Sequence, residues 1–222
     1  MKKPSSPVIL NLLEQQYGER IWQPHHDPLA ELVLTILSQN TSDHNSRRAF
    51  QSLRETFSDW TQLIEVDIQD IVEPIKSGGL AIIKAQRIQS ALREIQRRHG
   101  TLDLAFLADL TLEEAREWLL ELPGVGFKTA ACVLLFAMGQ PAMPVDTHVY
   151  RVATRLGLIV PRTSLENAHR LLEKAVPAKD IYEFHMLMIE HGRRTCKSRR
   201  PDCQACVCKT ICTGYDKYNI LT

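Results

Sequence analysis

The chain has 222 residues with a formal net charge of +1, and 44% of its residues are hydrophobic and 24% charged. This composition predicts a packed soluble fold of one large or two small domains, and a net charge so close to zero does not by itself indicate a nucleic-acid partner. No apolar run reaches the roughly 18 residues that a membrane span needs. The segment 1–7 lacks the apolar core of a secretory signal, so we expect a cytoplasmic protein.

Helical periodicity organises the first half of the chain. Residues 7–17 are predicted to form a helix with Val8, Leu12 and Leu13 on one face and Gly18 at its end. Apolar residues at i, i+3, i+4, i+7 and i+8 then predict an amphipathic helix formed around Leu29, Leu32, Val33, Ile36 and Leu37. Further helices are predicted over 43–56, 60–66 and 68–75.

The second half continues the same pattern. A turn at 77–80 leads into a long helix that His99 and Gly100 end, and a short element follows at 102–107. Thr111 with Glu114, and Thr163 with Glu166, have the spacing of capping boxes and predict two helix starts. Apolar residues over 128–138 and the pattern over 180–191 predict two more helices. We find no alternating run typical of a strand, so the predicted fold class is all-α.

The segment 122–130, Leu-Pro-Gly-Val-Gly-Phe-Lys-Thr-Ala, predicts a tight hairpin between two helices. Gly124 and Gly126 flank one residue, and glycine supplies backbone angles that other residues avoid. Backbone amides at the start of the second helix then form a candidate phosphate site, although an ordinary helix–turn–helix corner explains the same pattern.

Two residues at predicted helix starts are candidates for chemistry. Lys128 lies in the first turn after the hairpin, where the helix dipole and burial both favour a neutral, nucleophilic amine. Asp146 precedes the next helix, where its simplest role is that of an N-cap. A carboxylate there could also stabilise the positive charge that develops on a sugar as a glycosidic bond breaks.

Five of the six cysteines lie between Cys196 and Cys212. Four of them follow the spacing C-x6-C-x2-C-x5-C, which indicates a metal or cluster site and leaves zinc and iron–sulfur open. These are Cys196, Cys203, Cys206 and Cys212. We expect Cys208 to be a bystander within this loop and Cys132 to be a core residue.

Five cations surround the first of these cysteines with no acid among them. A charge run is usually a solvated face, but one held at a metal loop favours phosphate binding. The cations are Arg193, Arg194, Lys197, Arg199 and Arg200.

Taken together, the segments 122–130, 145–151 and 191–196 with the later cysteines resemble endonuclease III and the wider helix-hairpin-helix DNA glycosylase superfamily. The likeness extends from about Pro28 to Cys212. It implies a six-helix barrel domain over 28–138 that carries the hairpin, and an iron–sulfur cluster domain formed by 1–27 and 139–222. It also implies that double-stranded DNA lies in a cleft between the two, with a damaged base flipped out.

The resemblance implies a bifunctional DNA glycosylase and AP (apurinic or apyrimidinic site) lyase. Lys128 is the implied nucleophile at the anomeric carbon of the sugar, and Asp146 assists it. The resulting Schiff base permits β-elimination, which nicks the strand 3′ to the lesion. The resemblance further implies a 4Fe-4S cluster, rather than zinc, on the four spaced cysteines.

Other implied roles concern DNA contacts. Leu80 matches the residue that wedges into the opposite strand, and Asn40 falls where the family often has a glutamine that fills the vacated space. Ser38 and Asp43 match polar positions near the base pocket. The remaining predicted DNA-binding residues are Gln39, the hairpin glycines Gly124 and Gly126, and the five cations.

Departures from the family pattern concern the substrate. Residues 38–43 read Ser-Gln-Asn-Thr-Ser-Asp where Ser-Ala-Gln-Ala-Thr-Asp is usual, Ala81 stands in place of a common tyrosine, and Phe127 in place of an arginine. Damaged pyrimidines and uracil or thymine opposite guanine therefore both stay open as substrates. A DNA-binding iron–sulfur module without catalysis is a third alternative. We expect a monomer that binds damaged or mismatched DNA at the nucleoid.

Overall fold

A computed structural model describes residues 4–23, 25 and 27–219. All regular secondary structure in these residues is helical, which confirms the all-α prediction. The chain divides into two compact units, one formed by Met1–Gln23 with Pro141–Thr222 and the other by Pro24–Gln140. None of the described helices is long and apolar enough to cross a membrane.

The unit Pro24–Gln140 is built around α2 (Pro28–Ser38). The apolar residues predicted to face inward on α2 are all buried, and Asp27 caps its first turn by accepting from the backbone N–H of Ala30 at 3.0 Å. Helix α2 packs against α3, α6, α8 and the π-helical turn Val133–Ala137 that follows α8. The remaining helices are α3 (Asp43–Thr56), α4 (Gln62–Glu65), α5 (Ile68–Ile75), α6 (Ala81–His99), α7 (Leu112–Leu120) and α8 (Phe127–Cys132).

Three predicted elements in this unit differ from the prediction, and the first is the helix expected over 60–66, which α4 forms only over Gln62–Glu65. The short element after α6 is a 3-10 turn at Ala105–Asp109, a few residues later than predicted. The apolar segment after the hairpin begins as α8 and continues as a π-helical turn over Val133–Ala137. The capping box at α7 is confirmed, because Thr111 and Glu114 exchange both of its hydrogen bonds.

The other unit contains α1 (Ser6–Tyr17), α9 (Thr147–Leu156), α10 (Leu165–Ala175), α11 (Ile181–Arg194) and α12 (Tyr215–Asn219). Helix α11 packs against both α1 and α9 and forms the centre of this unit. Gly18 and Gly157 end α1 and α9 with positive φ angles of 81° and 80°. Gly157, with a ψ of 15°, has the left-handed conformation in which glycine commonly ends a helix, whereas Gly18 has a ψ of 162°.

The face of α1 predicted from Val8, Leu12 and Leu13 is only partly the buried one. Val8 is 47% exposed and Leu12 is half-buried, whereas Ile9 and Leu10 are buried together with Leu13. A short helix with apolar residues on several sides does not define its buried face, and packing against α11 selects it.

The second predicted capping box is also wrong. Ser164, not Thr163, is the N-cap of α10, and its hydroxyl accepts from the backbone N–H of Asn167 at 3.2 Å. The Thr163 hydroxyl instead donates to the carbonyl of Val160 at 2.7 Å. Two adjacent hydroxyl residues both satisfy the cap preference, and the turn before the helix decides between them.

Candidate functional site

The hairpin between α7 and α8 is held by two buried side chains, Leu122 and Val125. The backbone N–H of Val125 donates to the carbonyl of Leu122 at 3.1 Å, which closes the turn. Gly124 has a φ of +79°, and a Cβ atom there would lie 2.7 Å from Cγ of Arg87. Both the positive φ angle and the close approach of Arg87 therefore require glycine at position 124, as predicted.

Gly126 does not require glycine for its backbone angles, so the prediction that it does is wrong. Its φ is −113°, which any residue adopts, and a Cβ atom there would meet nothing within 4 Å. Gly126 is the exposed N-cap of α8, and among the described residues no side-chain hydrogen bond caps this helix. Glycine here leaves open space in front of the first amides of the helix, whose N–H groups have no partner within a helix.

Gln39 braces the hairpin from the end of α2. Its side-chain amide donates to the carbonyl of Gly124 at 3.2 Å and to the hydroxyl of Thr129 at 3.4 Å, and its amide oxygen accepts from Arg87. These contacts join α2, α6 and α8 around the hairpin. A DNA contact by Gln39 itself stays a prediction.

Lys128 is the second residue of α8 and is half-buried. A buried carboxyl in α2, Glu31, interacts electrostatically with Lys128 and with Arg47. Glu31 is only 4% exposed, and burial raises its pKa to about 7. One of its oxygens accepts from the hydroxyl of Thr35 at 3.3 Å, and the other has no hydrogen-bond partner among the described residues.

Asp146 is the N-cap of α9, as predicted, and its carboxylate accepts from the backbone N–H of Val149 at 2.7 Å. Two buried histidines hold the segment before it. The Nδ1 atom of His169 lies 2.6 Å from the carbonyl oxygen of Met143, and that of His185 lies 2.9 Å from the carbonyl oxygen of Pro144. The half-buried carboxylate therefore has a fixed position within its unit.

The two residues predicted to enter the duplex share an unusual backbone conformation. Asn40 and Leu80 have φ angles of +52° and +51°, in the left-handed region that non-glycine residues seldom adopt. Both are exposed, and Leu80 adjoins two further exposed apolar side chains, Ile82 and Ile83, at the start of α6. An exposed apolar group beside a turn fits a surface that contacts unstacked bases.

The two predicted pocket residues differ in their surroundings. Ser38 is half-buried at the end of α2, and its hydroxyl donates to the carbonyl of Thr35 at 2.8 Å. Asp43 is exposed in the first turn of α3, which Ser42 caps. Their role in a base pocket stays a prediction.

Four cysteines line one cavity beside α9 and α11, and they are the four that the spacing selected: Cys196, Cys203, Cys206 and Cys212. Cys208 does not line it and is fully buried. A different group of possible ligand atoms also exists here, because His191, Cys206 and Cys208 bring theirs within 4.8 Å of one another. The structure thus contains a cysteine and histidine cluster able to hold a metal.

The pKa values of these thiols are shifted in opposite directions. A hydrogen bond from Cys208, with a further contribution from His191, lowers the pKa of Cys206 well below its ordinary value. Burial raises the pKa of Cys212 to about 11. A bound metal would favour the thiolate form, since thiolates are the species that bind metals.

Arg155 anchors the cysteine loop to α9. Its guanidinium is buried, lies 3.3 Å from Sγ of Cys196, and donates to the carbonyls of Lys197 and Ser198 at 2.7 and 3.1 Å. Arg151, one turn earlier, donates to the carbonyl of Cys196 at 3.0 Å. A cation next to a thiolate offsets the negative charge that four such ligands bring together.

All five predicted DNA-binding cations are exposed, two of them at the end of α11 and three in the loop that follows. Arg194 is also paired with Glu190 of the same helix at 2.8 Å and lies over the ring of Tyr17. The charge run therefore has an acidic neighbour one turn before it, which reduces the positive charge at its start.

The sequence analysis missed several residues that shape the site. Lys84 repeats at helical spacing with Ile88 and Leu92 on the apolar face of α6, a pattern that could have indicated burial. Glu31 similarly interrupts the apolar face of α2. No comparable signal in the sequence distinguishes Arg87 or Arg155 from surface arginines.

These features, a hairpin between helices, a lysine at the second helix start and a cysteine loop, define a class of DNA repair protein. Residues 33–178 match the HhH-GPD superfamily of base excision DNA repair proteins, and the chain belongs to this superfamily. It is also 34% identical to endonuclease III of Sulfolobus acidocaldarius over 84% of this chain and 82% of that protein.

Two further comparisons agree. A protein of Arabidopsis thaliana named as a putative DNA glycosylase is 39% identical over 73% of this chain, and the match covers 55% of the length of that relative. Among solved structures, a covalently trapped endonuclease III–DNA intermediate matches with a TM-score of 0.81 and 28% identity. The match covers 96% of this chain and 98% of that one. The predicted family is therefore confirmed.

Proposed function

We propose that this protein is a bifunctional DNA glycosylase and AP lyase that excises damaged bases from double-stranded DNA. The observation that carries the proposal is the position of Lys128, at the start of a helix that no side chain caps, directly after an exposed glycine hairpin. Amides at that helix start favour a phosphate, and they also disfavour an ammonium. Both effects suit a lysine that attacks a sugar.

Lys128 acts as the nucleophile in this proposal. Its neutral amine attacks the anomeric carbon, the bond to the base breaks, and the base leaves with a proton. Opening of the sugar ring gives a Schiff base between Lys128 and the former anomeric carbon. Loss of a proton from the adjacent carbon then expels the 3′ phosphate by β-elimination, which nicks the strand.

Asp146 supplies a negative charge during the first step. As the base departs, the sugar gains oxocarbenium character, and an anion at the sugar stabilises that charge. Its bond to the amide of Val149 fixes the orientation of the carboxylate without neutralising its charge.

A 4Fe-4S cluster is the proposed occupant of the cysteine loop. Its ligands would be Cys196, Cys203, Cys206 and Cys212, whose four sulfurs match the number that such a cluster takes. When bound, it would cross-link the loop that carries Lys197, Arg199 and Arg200, directly after Arg193 and Arg194 at the end of α11. With all four sites on protein sulfur, the cluster has a structural role and the cations contact phosphates.

The substrate is proposed to be a damaged pyrimidine. The alternative is uracil or thymine opposite guanine, which the unusual segment 38–43 and the small side chain of Ala81 favour. A panel of duplexes with thymine glycol, uracil, a thymine–guanine mismatch, oxidised guanine or an abasic site, scored with and without alkali, separates these substrates. Cleavage only after alkali would indicate a monofunctional mismatch glycosylase.

Borohydride trapping tests the chemistry directly. The wild-type protein should become covalently attached to abasic-site DNA, and Lys128→Gln should lose attachment while it still binds the duplex. Lys174→Gln, which removes an exposed lysine on α10, is the matched control and should trap normally. Full trapping by Lys128→Gln would show that another amine is the nucleophile. Binding by the wild type without any product would instead favour a non-catalytic module.

A further inference from the structure

One buried ammonium joins the two turns that carry Asn40 and Leu80. Lys84 is 1% exposed, and its Nζ donates to the carbonyl of Leu37 at 2.6 Å, to the hydroxyl of Thr41 at 2.6 Å and to the carbonyl of Gly78 at 2.8 Å. An ammonium has three donors, and these three acceptors saturate it. All three acceptors are neutral, so the charge is held only by dipoles.

Thr41 connects the two turns a second time. Its hydroxyl accepts from Lys84 and donates to the carbonyl of Gly78. The residues Thr41 and Gly78 lie far apart in sequence but belong to adjacent turns in the fold. The Lys84–Thr41–Gly78 triangle is therefore a closed hydrogen-bonded link between the end of α2 and the turn before α6.

The exposed, left-handed residues flank this triangle. Asn40 immediately precedes Thr41, and Leu80 follows Gly78 by two residues. A non-glycine residue keeps a left-handed backbone only where surrounding contacts fix it, and such residues concentrate at functional sites. The triangle provides that constraint for both residues at once, since each of them adjoins one of its corners.

We propose that Lys84 and Thr41 are positioning residues that hold Asn40 and Leu80 as one rigid pair for insertion into duplex DNA. This inference rests on the proposed function, because it concerns how the base opposite the lesion is displaced. The pair would enter the duplex together, with Leu80 against the opposite strand and Asn40 in the space that the flipped base leaves.

A purely structural role for Lys84 is the competing explanation, but burial argues against it. Transfer of a charge from water to the interior is costly, and burial also lowers the pKa of this lysine. A methionine of similar length would fill the same volume without that cost. Only the ammonium can donate three hydrogen bonds at once, and these bonds fix the turn at Thr41 relative to the turn at Gly78.

The test uses Thr41→Val, which removes the hydroxyl and keeps the shape and Lys84. Thr56→Val is the matched control, because the Thr56 hydroxyl bonds only the carbonyl of Ser52 in its own helix at 2.8 Å. Thr41→Ser keeps a hydroxyl at this position and should therefore retain the behaviour of the wild type. Lys84→Met is the stronger variant, and its circular dichroism and melting curve are measured first because it removes the ammonium donor from the carbonyl of Leu37, the hydroxyl of Thr41 and the carbonyl of Gly78, of which the last keeps the bond from Thr41.

Two readouts separate positioning from chemistry. The first is nicking of an abasic site in duplex and in single-stranded DNA, since only the duplex needs insertion. The second is the emission of 2-aminopurine placed opposite a tetrahydrofuran abasic analogue, which rises when the base unstacks. We expect Thr41→Val to nick the duplex about tenfold more slowly, to nick the single strand as the wild type does, and to raise the emission less.

Equal behaviour of Thr41→Val and the wild type in both duplex assays would overturn the inference. So would an equal loss on duplex and single-stranded DNA, because that result indicates a general defect. If the wild type nicks neither DNA, the proposed lyase function fails, whereas the 2-aminopurine emission still reports whether the pair is positioned.

Discussion

The carboxylate of Asp146 accepts a hydrogen bond of 2.7 Å from the backbone N–H of Val149 and caps the first turn of α9. This bond accounts for an aspartate here even without any catalytic role. The two roles are nevertheless separable, because capping needs an oxygen acceptor and the proposed catalysis needs a negative charge.

Substitutions at Asp146 should divide these roles. Asn caps a helix as well as Asp, so Asp146→Asn should melt near the wild-type temperature but excise bases about a hundredfold more slowly. Asp146→Ala should lose the same activity and also about 1 kcal/mol of stability, or roughly 2–4 °C in melting temperature. Wild-type excision by Asp146→Asn would leave the residue with capping alone.

The two hairpin glycines should respond in opposite ways to alanine. Gly124→Ala should lower the free energy of unfolding by roughly 1–2 kcal/mol, because alanine avoids a φ of +79° and its Cβ would collide with Arg87. Gly126→Ala has an ordinary φ and open space, so its stability should stay near wild type. Urea unfolding measures both.

The affinity of Gly126→Ala for duplex DNA tests whether the hairpin binds a phosphate. If the amides at the start of α8 hold a phosphate, the methyl group of Gly126→Ala obstructs the approach and should weaken binding of duplex DNA with stability unchanged. Unaltered affinity of Gly126→Ala across a range of salt concentrations would remove the phosphate site from the hairpin.

Iron content distinguishes the two possible groups of metal ligands. Cys212→Ser should lose iron and the yellow-brown colour, while Cys208→Ser should keep both, because Cys212 lines the four-cysteine cavity and Cys208 does not. A metal held by His191, Cys206 and Cys208 predicts the reverse order. Colourless wild-type protein with stoichiometric zinc would exclude the cluster.

The sequence predicted those elements whose signal is local. The spacing of apolar residues identified α2 and its buried face, and cap chemistry placed Thr111 and Asp146 at helix starts. Both signals are contained in a few neighbouring residues, and both act before tertiary packing. For the same reason, the local pattern predicts Thr163 as the cap where Ser164 caps the helix, since the preceding turn decides between them.

The remaining features depend on contacts between distant residues. Lys84 meets Leu37 and Thr41 across more than forty positions of sequence, so its burial follows from packing rather than periodicity alone. The left-handed backbone of Leu80 is imposed by its turn and is not readable from residue type, whereas asparagine, as at Asn40, is one of the few residues besides glycine that adopts this conformation readily.

The buried carboxyl of Glu31 predicts a specific pH dependence of stability. Its pKa is about 7 in the folded protein and 4.5 ordinarily, so between these values the folded state holds a proton that the unfolded state has lost. Stability therefore falls as pH rises through this window, and the full penalty is present above about pH 7. The difference between the two pKa values of Glu31 corresponds to about 3 kcal/mol of stability.

Glu31→Gln removes this titration, so the fall in stability with rising pH should become smaller. The stability of the variant relative to wild type should rise by about 3 kcal/mol between pH 4.5 and pH 8, measured by urea unfolding. Glu55→Gln, at an exposed position on α3, should show no such change.

The interaction of Glu31 with Lys128 is mutual, so loss of the negative charge of Glu31 should also favour the neutral amine of Lys128. Borohydride trapping by Glu31→Gln should then reach its half-maximal rate at a lower pH than wild type, and an unshifted profile would mean that Glu31 affects folding alone.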